Sequence, residues 1–553
     1  MFPSLVINGI FRKEILIGDP LYTSRIKYAA KNPFDLGSGY VTDPGATGNR
    51  EIISLGETVI GLLGKILNFS IWEIYIYSTI AMGLLALYLF SKILSNRNKK
   101  VTFLLCSGGL FLFWGPHNDF NFARPISPQI TILVYLVIMF GIKKSLSSNV
   151  RKFKLLIGVL AGLSAYLSSP FTFIAASIAF FTYLFLTLTN QKITKIDYAS
   201  LASYVILIVP YMFANLANSG SESFSDLTLR QGLIDSHLPA ARVTIITLIL
   251  ILSYIMMFYK FKKIKIFNNQ NLFLNFLIIQ SLTIAIVSNS NLITGKALQF
   301  SNHFDHFSKI ILILVIGSTL DSFNLTNSRL SRIFYKLKSS QLIPISLAFT
   351  LVTLMVIKGL SVKEIEKPTL KEQRIWSFID KNIKNDAVIL FSNIGMSAAA
   401  SALIENKLFF STDMFNFNYT QKEINFRYFA TTACSVEIID KSSWSFTYGL
   451  RGLDKIGKVD RYINYVKKLR IDDVFLKSLL LQQSQEVTNY ANLVAMSEKD
   501  SRELKGIGCL NFIKSRNVKY LVVENNEAWK LLASKQLISF VSKVDSVFVY
   551  KIN

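Results

Sequence analysis

Three short polar segments of this 553-residue chain hold side chains able to do chemistry. The first is Gly18-Asp19-Pro20, followed by Tyr22, Arg25, Lys27 and Tyr28. Pro20 keeps the residue before it out of helical backbone, so Asp19 is held in a turn. A carboxylate there can take a proton from an acceptor hydroxyl, which is general-base work. It is also placed to cap a helix beginning near Leu21. The second segment is Trp114-Gly-Pro-His117-Asn-Asp119-Phe-Asn-Phe-Ala-Arg124-Pro-Ile-Ser-Pro-Gln129. Arg124 suits a phosphate, because its fork donates two hydrogen bonds at once. Its other reading is an arginine that snorkels to lipid headgroups. The third runs from Asn291 through Thr294, Gly295 and Lys296 to Asn302-His303-Phe304-Asp305-His306. Phosphate or sugar binding by Lys296, His303 and Asp305 is the expectation. His303 and His306 can share a helix face. With Asp305 they leave a divalent metal conceivable, but no metal site is assigned and no cofactor is required.

The elements that must position these residues are apolar. Hydrophobic residues make up 51% of the chain, and the mean hydropathy is +0.39. About ten segments have membrane-spanning character: 72–94, 101–115, 128–142, 155–168, 171–189, 198–217, 242–259, 271–289, 307–322 and 341–360. A hydrocarbon core is about 30 Å thick and takes about 20 helical residues to cross. Alternate connections are basic: Arg97 to Lys100, Lys143 to Lys154, Lys192 with Lys195, Lys260 to Lys265, and Arg329 to Lys338. The positive-inside rule makes these cytoplasmic. All three polar segments then face outside, where pooled ionisable residues suggest a site. The net charge of +25 is read the same way, as topology signal, and no nucleic-acid partner is expected.

Three regions follow. Residues 1–70 form an extracytoplasmic first loop, with an amphipathic helix from Leu55 to Asn68 lying at the membrane surface. They contain no signal peptide, so either the first span inserts with its N-terminus outside or, as is expected here, a helix precedes Met1. Residues 71–360 are the transmembrane helical domain. Residues 361–553 alternate helix and strand and read as an extracytoplasmic α/β domain. Its helices are expected at Glu372–Lys384, Tyr462–Ala495, Cys509–Arg516 and Asn526–Lys535, and its strands at Ala387–Phe391, Val518–Val523 and Val547–Ile552. Asp380, Asp386, Asp413 and Glu524 read there as solvated or capping residues. Cys106 reads as core. Cys434 and Cys509 lie where a disulfide is chemically allowed, and a pair this far apart in sequence is weak evidence for one. No P-loop, dinucleotide fingerprint, zinc spacing or nucleophile elbow is present. That argues against an ATP-driven pump.

At its three polar loops the chain resembles the GT-C superfamily of multi-spanning glycosyltransferases, particularly bacterial envelope-polysaccharide members. The resemblance rests on Gly18-Asp19-Pro20 with Tyr22 and Arg25, on the Arg-Pro-x-x-Pro-Gln string from Arg124 to Gln129, and on the Thr-Gly-Lys-x-x-Gln-x-x-x-His string from Thr294 to His303. It implies transfer of a sugar from a polyprenyl-phosphate donor to a lipid-linked or envelope glycan acceptor at the outer face of the plasma membrane. Asp19 would be the catalytic base. Arg124, Lys296, His303, Arg25, His117, Asp119, Gln129 and Asp305 would bind substrate in one cavity open to the outer leaflet, among membrane lipids. The family's first helix is the feature not found here. Two other classes remain: a transporter or flippase of lipid-linked sugars, and a non-catalytic envelope assembly protein. The topology is testable by Lys263→Cys. Its thiol should label from the cytoplasmic side only, and strong labelling from outside intact cells overturns the assignment.

Overall fold

The computed structural model describes residues 20–31, 55–94, 129–148, 151–167, 170–190, 193–218, 233–235, 240–261, 272–298, 303–322, 368–411, 419–431, 499–524 and 535–553, with isolated positions 414, 463, 480, 529, 532 and 533. They fall into two compact units. The helical unit holds α1 (Pro20–Lys31), α2 (Leu55–Ile66), α3 (Ile71–Leu94), α4 (Thr131–Ser148), α5 (Arg151–Leu163), α6 (Pro170–Asn190), α7 (from Lys195, ending at Asn218), α8 (Ala241–Phe261), α9 (Leu272–Ser288), the single turn α10 (Asn291–Thr294) and α11 (Phe304–Ser322).

Local sequence sets several boundaries. Pro20 opens α1, where its missing N–H costs nothing. Ser70 and Glu73 cap α3: the Ser70 N–H donates to Glu73 Oε2 at 2.8 Å. Asn68, with φ 54°, ends α2, and the Phe69 N–H reaches back to the Gly64 carbonyl at 2.9 Å.

Eight of the segments expected to span coincide with described helices, while 101–115 and 341–360 lie outside the described residues. Only four described helices are both long and apolar enough to cross a membrane: Glu73–Leu94, Phe171–Asn190, Lys195–Ala214 and Leu272–Thr294. Among the described residues, then, four of the roughly ten expected spans meet both criteria. One reason is length: α5 has 13 residues, too few to cross the core upright. Large apolar side chains nevertheless point out of the unit, among them Leu84, Phe185, Ile206 and Phe213. That suits a hydrocarbon solvent.

Helix directions follow from side-chain pairs. Thr131 meets Thr172 at 3.0 Å and Ser145 meets Tyr183 at 2.8 Å, so α4 and α6 run parallel. Gln129 joins Thr79 of α3, while Lys143 reaches the Ile93 carbonyl further along both helices. The α11 helix begins against Phe171 and passes Leu94 at Gly317. Thus α3, α4, α6 and α11 start at one end. Lys143, Lys144, Arg151 and Lys154 belong to the opposite end, where Lys154 pairs with Asp197 at 3.0 Å. Small residues allow the closest approaches. A Cβ on Gly158 would stand 2.3 Å from the Ser200 carbonyl oxygen.

The second unit carries a five-stranded sheet. After β1 (Leu233–Asp235) and, in the helical unit, β2 (Lys296–Leu298), its strands are β3 (Val388–Phe391), β4 (Lys407–Leu408), β5 (Val518–Glu524), β6 (Ile538–Val544) and β7 (Val547–Ile552). The order is β4-β3-β5-β7-β6, parallel at β4-β3-β5 and antiparallel beyond. All four residues of β3 are buried, as a strand covered on both faces requires. Helices α12 (Leu370–Asn382), α13 (Ile394–Leu403), α14 (Gln421–Thr431) and α15 (Cys509–Ser515) complete the unit. Thr369 and Glu372 form a full capping box on α12. The expected Asn526–Lys535 helix is helical at Trp529, Leu532 and Ala533. Of 462–495, only Ile463 and Leu480 are described.

Glu524 is a bridge rather than a solvated carboxylate. It accepts from Lys371 at 2.5 Å and from Asn393 at 2.8 Å, joining β5 to α12 and to the start of α13. Burial pushes its carboxyl up, but those two donors outweigh burial and hold it below the ordinary range. Asp413 lies outside the described residues.

The core around α14 is charged. Glu423 binds Arg427 at 2.7 Å and Arg516 at 2.8 Å. Arg427 is fully buried between the rings of Phe409 and Tyr419. Burial raises the Glu423 pKa, yet hydrogen bonds from Arg516 and the charge of Arg427 prevail, so the carboxyl stays below its ordinary value. A depressed carboxyl stabilises the fold above the unfolded value, about 4.3 for glutamate, and loses that contribution as pH falls through the folded value. Glu423→Gln should lower the melting temperature of the full chain at pH 7 and flatten its acid dependence. Breaking a buried pair costs about 3–5 kcal/mol. Unchanged melting at pH 7 would show that Arg427 does not depend on this partner.

Candidate functional site

The densest described cluster of chemically able side chains lies where α11 begins. His303 stacks on Phe171, with centroids 5.3 Å apart and planes 8° apart. It meets the His306 ring at 5.8 Å. Asp305 is buried in the first turn of α11, where a negative charge suits the helix end. It pairs with Lys309 one turn on at 2.5 Å. Its other oxygen, Oδ1, is buried without a hydrogen-bond partner. His306 Nε2, on the next residue, is likewise buried without a hydrogen-bond partner. Beneath it, Phe307 packs on Tyr135 at 4.8 Å, and the Tyr135 hydroxyl accepts from Gln280 at 3.1 Å. Among the described residues, no group of three His, Cys, Asp or Glu side chains is arranged to hold a metal ion.

The helices that follow the three polar loops meet at this end. Tyr22 and Ile26 of α1 pack with Ile60, Ile74, Ile130 and Leu167 in one apolar cluster. Ile130 directly precedes α4, whose Thr131 bonds Thr172, and Phe171 carries His303. Chain regions more than a hundred residues apart in sequence thus share one end of the unit.

The expected site residues fare differently. Asp19, His117, Asp119 and Arg124 lie outside the described residues, as does the side chain of Lys296. Gln129 is buried, and its amide donates to Thr79 at 2.8 Å. Arg25 lies 3.5 Å from Glu57, a fully buried carboxylate of α2. His303 and Asp305 stand together as described. Sequence reasoning missed Glu57, Phe171 and Lys309. Glu57 carried one usable signal: a charge on the helix face that also holds Gly61 and Gly64. That face packs inward, while Val59, Leu63, Ile66 and Leu67 point outward.

In the second unit, Cys509 is disulfide-bonded, an outcome that the sequence leaves open. Cys106 and Cys434 lie outside the described residues.

The chain thus joins a helical unit, four of whose described helices are long and apolar enough to cross a membrane, to an α/β unit. No known protein family matches the chain, and no curated protein matches its sequence. Solved structures do. The fold is similar to that of the mycobacterial arabinofuranosyltransferase AftD, with 9% identity over 100% of this chain and a TM-score of 0.50. It is also similar to a mutant form of that enzyme, with 8% identity over 99% of this chain and a TM-score of 0.51. The chain spans about two fifths of their length, 39% and 41%. Such a likeness shows the fold alone.

The meeting of α4 and α6 is open to test. Thr131→Cys with Thr172→Cys should form a disulfide on mild oxidation in membranes, since the two hydroxyls lie 3.0 Å apart. No cross-link, with both thiols shown to be reactive, would mean the two helix starts do not meet.

Proposed function

We propose that the protein is a membrane glycosyltransferase that moves a sugar from a polyprenyl-phosphate donor to a lipid-linked or envelope glycan acceptor at the outer face of the plasma membrane. The observation that carries this reading is the gathering of the helices after the three polar loops around the His303 cluster. The fold's likeness to AftD supports it. The disulfide at Cys509 supports an extracytoplasmic second unit, since such bonds persist in oxidising compartments.

In the proposed step the acceptor hydroxyl oxygen attacks the anomeric carbon, and the bond from that carbon to the phosphate oxygen breaks. Asp19 receives the hydroxyl proton, and polyprenyl phosphate departs with the bonding electrons. A base of this kind contributes about a hundred- to ten-thousand-fold. Arg124 and Lys296 hold the phosphate, and His303 hydrogen-bonds phosphate or sugar. Arg25, His117, Asp119, Gln129 and Asp305 surround them. One well-placed donor to the departing oxyanion is worth about 3–4 kcal/mol. The leaving group is a lipid phosphate, so no nucleotide fold is needed.

A flippase would place charges along a path through both leaflets. Among the described residues, Lys154 and Asp197 form a buried pair at the opposite end and neutralise each other, which gives that reading little support. The test uses purified protein and a polyprenyl-phosphate sugar. Asp19→Asn should cut turnover at least a hundredfold while donor binding persists. Arg124→Ala should weaken both. Near-full turnover by Asp19→Asn sinks the catalytic reading.

A further inference from the structure

We infer that Glu57 is a positioning residue that holds Arg25 as a clamp for the donor's phosphate. This deepens the proposed function and rests on it. Glu57 is fully buried, and Arg25 Nε lies 3.5 Å from its Oε1. The Arg25 side chain keeps 17% of its surface exposed. The pair therefore joins a sealed carboxylate to a guanidinium at the edge of the packing.

Its place in the fold is specific. Arg25 lies between Tyr22 and Ile26, which pack against Ile130 and Leu167. That is the end where α4 and α6 begin. Arg25 also follows Asp19 by six residues.

Clipping α1 to α2 does not require charge. Gly61 already brings the helices to backbone contact: a Cβ there would lie 2.7 Å from the Ile26 carbonyl oxygen. Ile26 and Ile60 add apolar contact. A buried ion pair seldom stabilises more than apolar side chains of similar volume. An ion pair on the Nε side restricts how the terminal nitrogens can turn, and these are the part of the fork that grips a phosphate. A carboxylate behind a metal-binding histidine acts in the same way, and losing one typically costs about 10–100-fold.

The test is binding of polyprenyl phosphate, without sugar, to the purified full chain, together with the donor KM. Glu57→Gln should weaken binding about tenfold and raise KM to match, with kcat within about twofold. Glu57→Asp should recover most of the affinity. Arg25→Ala should lose more, and adding Glu57→Gln to it should cost nothing further. Gly64→Ala is the packing control, since its Cβ would meet the Ile74 side chain of α3: it should lower the melting temperature without selectively raising the donor KM. The clamp is overturned if Glu57→Gln leaves phosphate binding unchanged, if it lowers only the melting temperature, or if the two losses multiply independently. Failure of the wider reading looks different. Asp19→Asn would then keep turnover while Arg25 and Glu57 still govern phosphate binding.

Discussion

The helical unit depends on one constraint: polar groups inside an apolar bundle must find partners across helices, because hydrocarbon offers none. Thr131 with Thr172 and Ser145 with Tyr183 meet it, and the amide N–H groups of Gln129 and Gln280 meet it at Thr79 and Tyr135. Each bond ties a helix to a neighbour at a defined height. Together they put the starts of α3, α4, α6 and α11 at one end. A pair of leucines could slide by a turn at little cost, whereas a displaced hydroxyl or amide would be left unsatisfied. The candidate site inherits its geometry from these bonds, since His303 stacks on the residue that precedes Thr172.

The same constraint explains how charge is distributed. The buried carboxylates and lysine described in the helical unit are Glu57, Lys154, Asp197 and Asp305. Glu57 faces Arg25, Lys154 faces Asp197, and Asp305 faces Lys309. Lys154 and Asp197 sit at the end with the basic connections, and the other two pairs sit where the polar loops lead into helices. One side of the bundle thus joins helices to basic loops, and the other gathers groups suited to phosphate and hydroxyl chemistry.

The second unit solves a different problem. Its sheet is an ordinary covered core, but α14 is buried along almost its whole length despite a polar sequence. Glu423 makes this possible by satisfying two arginines at once, and Asn425 binds Asp500 at 2.6 Å beside it. Stability there rests on a closed set of charges, so it should respond to acid where an apolar core would not.

Much of this was legible in the residues, because periodicity and local capping are properties of the chain itself. The apolar runs mark α3, α6, α7 and α9. The strand Val388–Phe391 is an unbroken apolar run, and Pro20 sets the start of α1. Strand β6 was missed because its alternation is broken by an irregularity between Phe540 and Ser542 and most of its side chains are exposed. Helix α14 was missed because its burial depends on partners far away in sequence. Asp305 and His303 were recognisable as candidates by type and spacing. Their neighbours Phe171 and Thr172 were not, since nothing local distinguishes one phenylalanine of a span from another. Only tertiary packing decides which face of α2 turns inward, which carboxylate meets Arg25 and which helix ends meet. Those outcomes depend on the shape and polarity of surfaces that exist only once the helices are assembled.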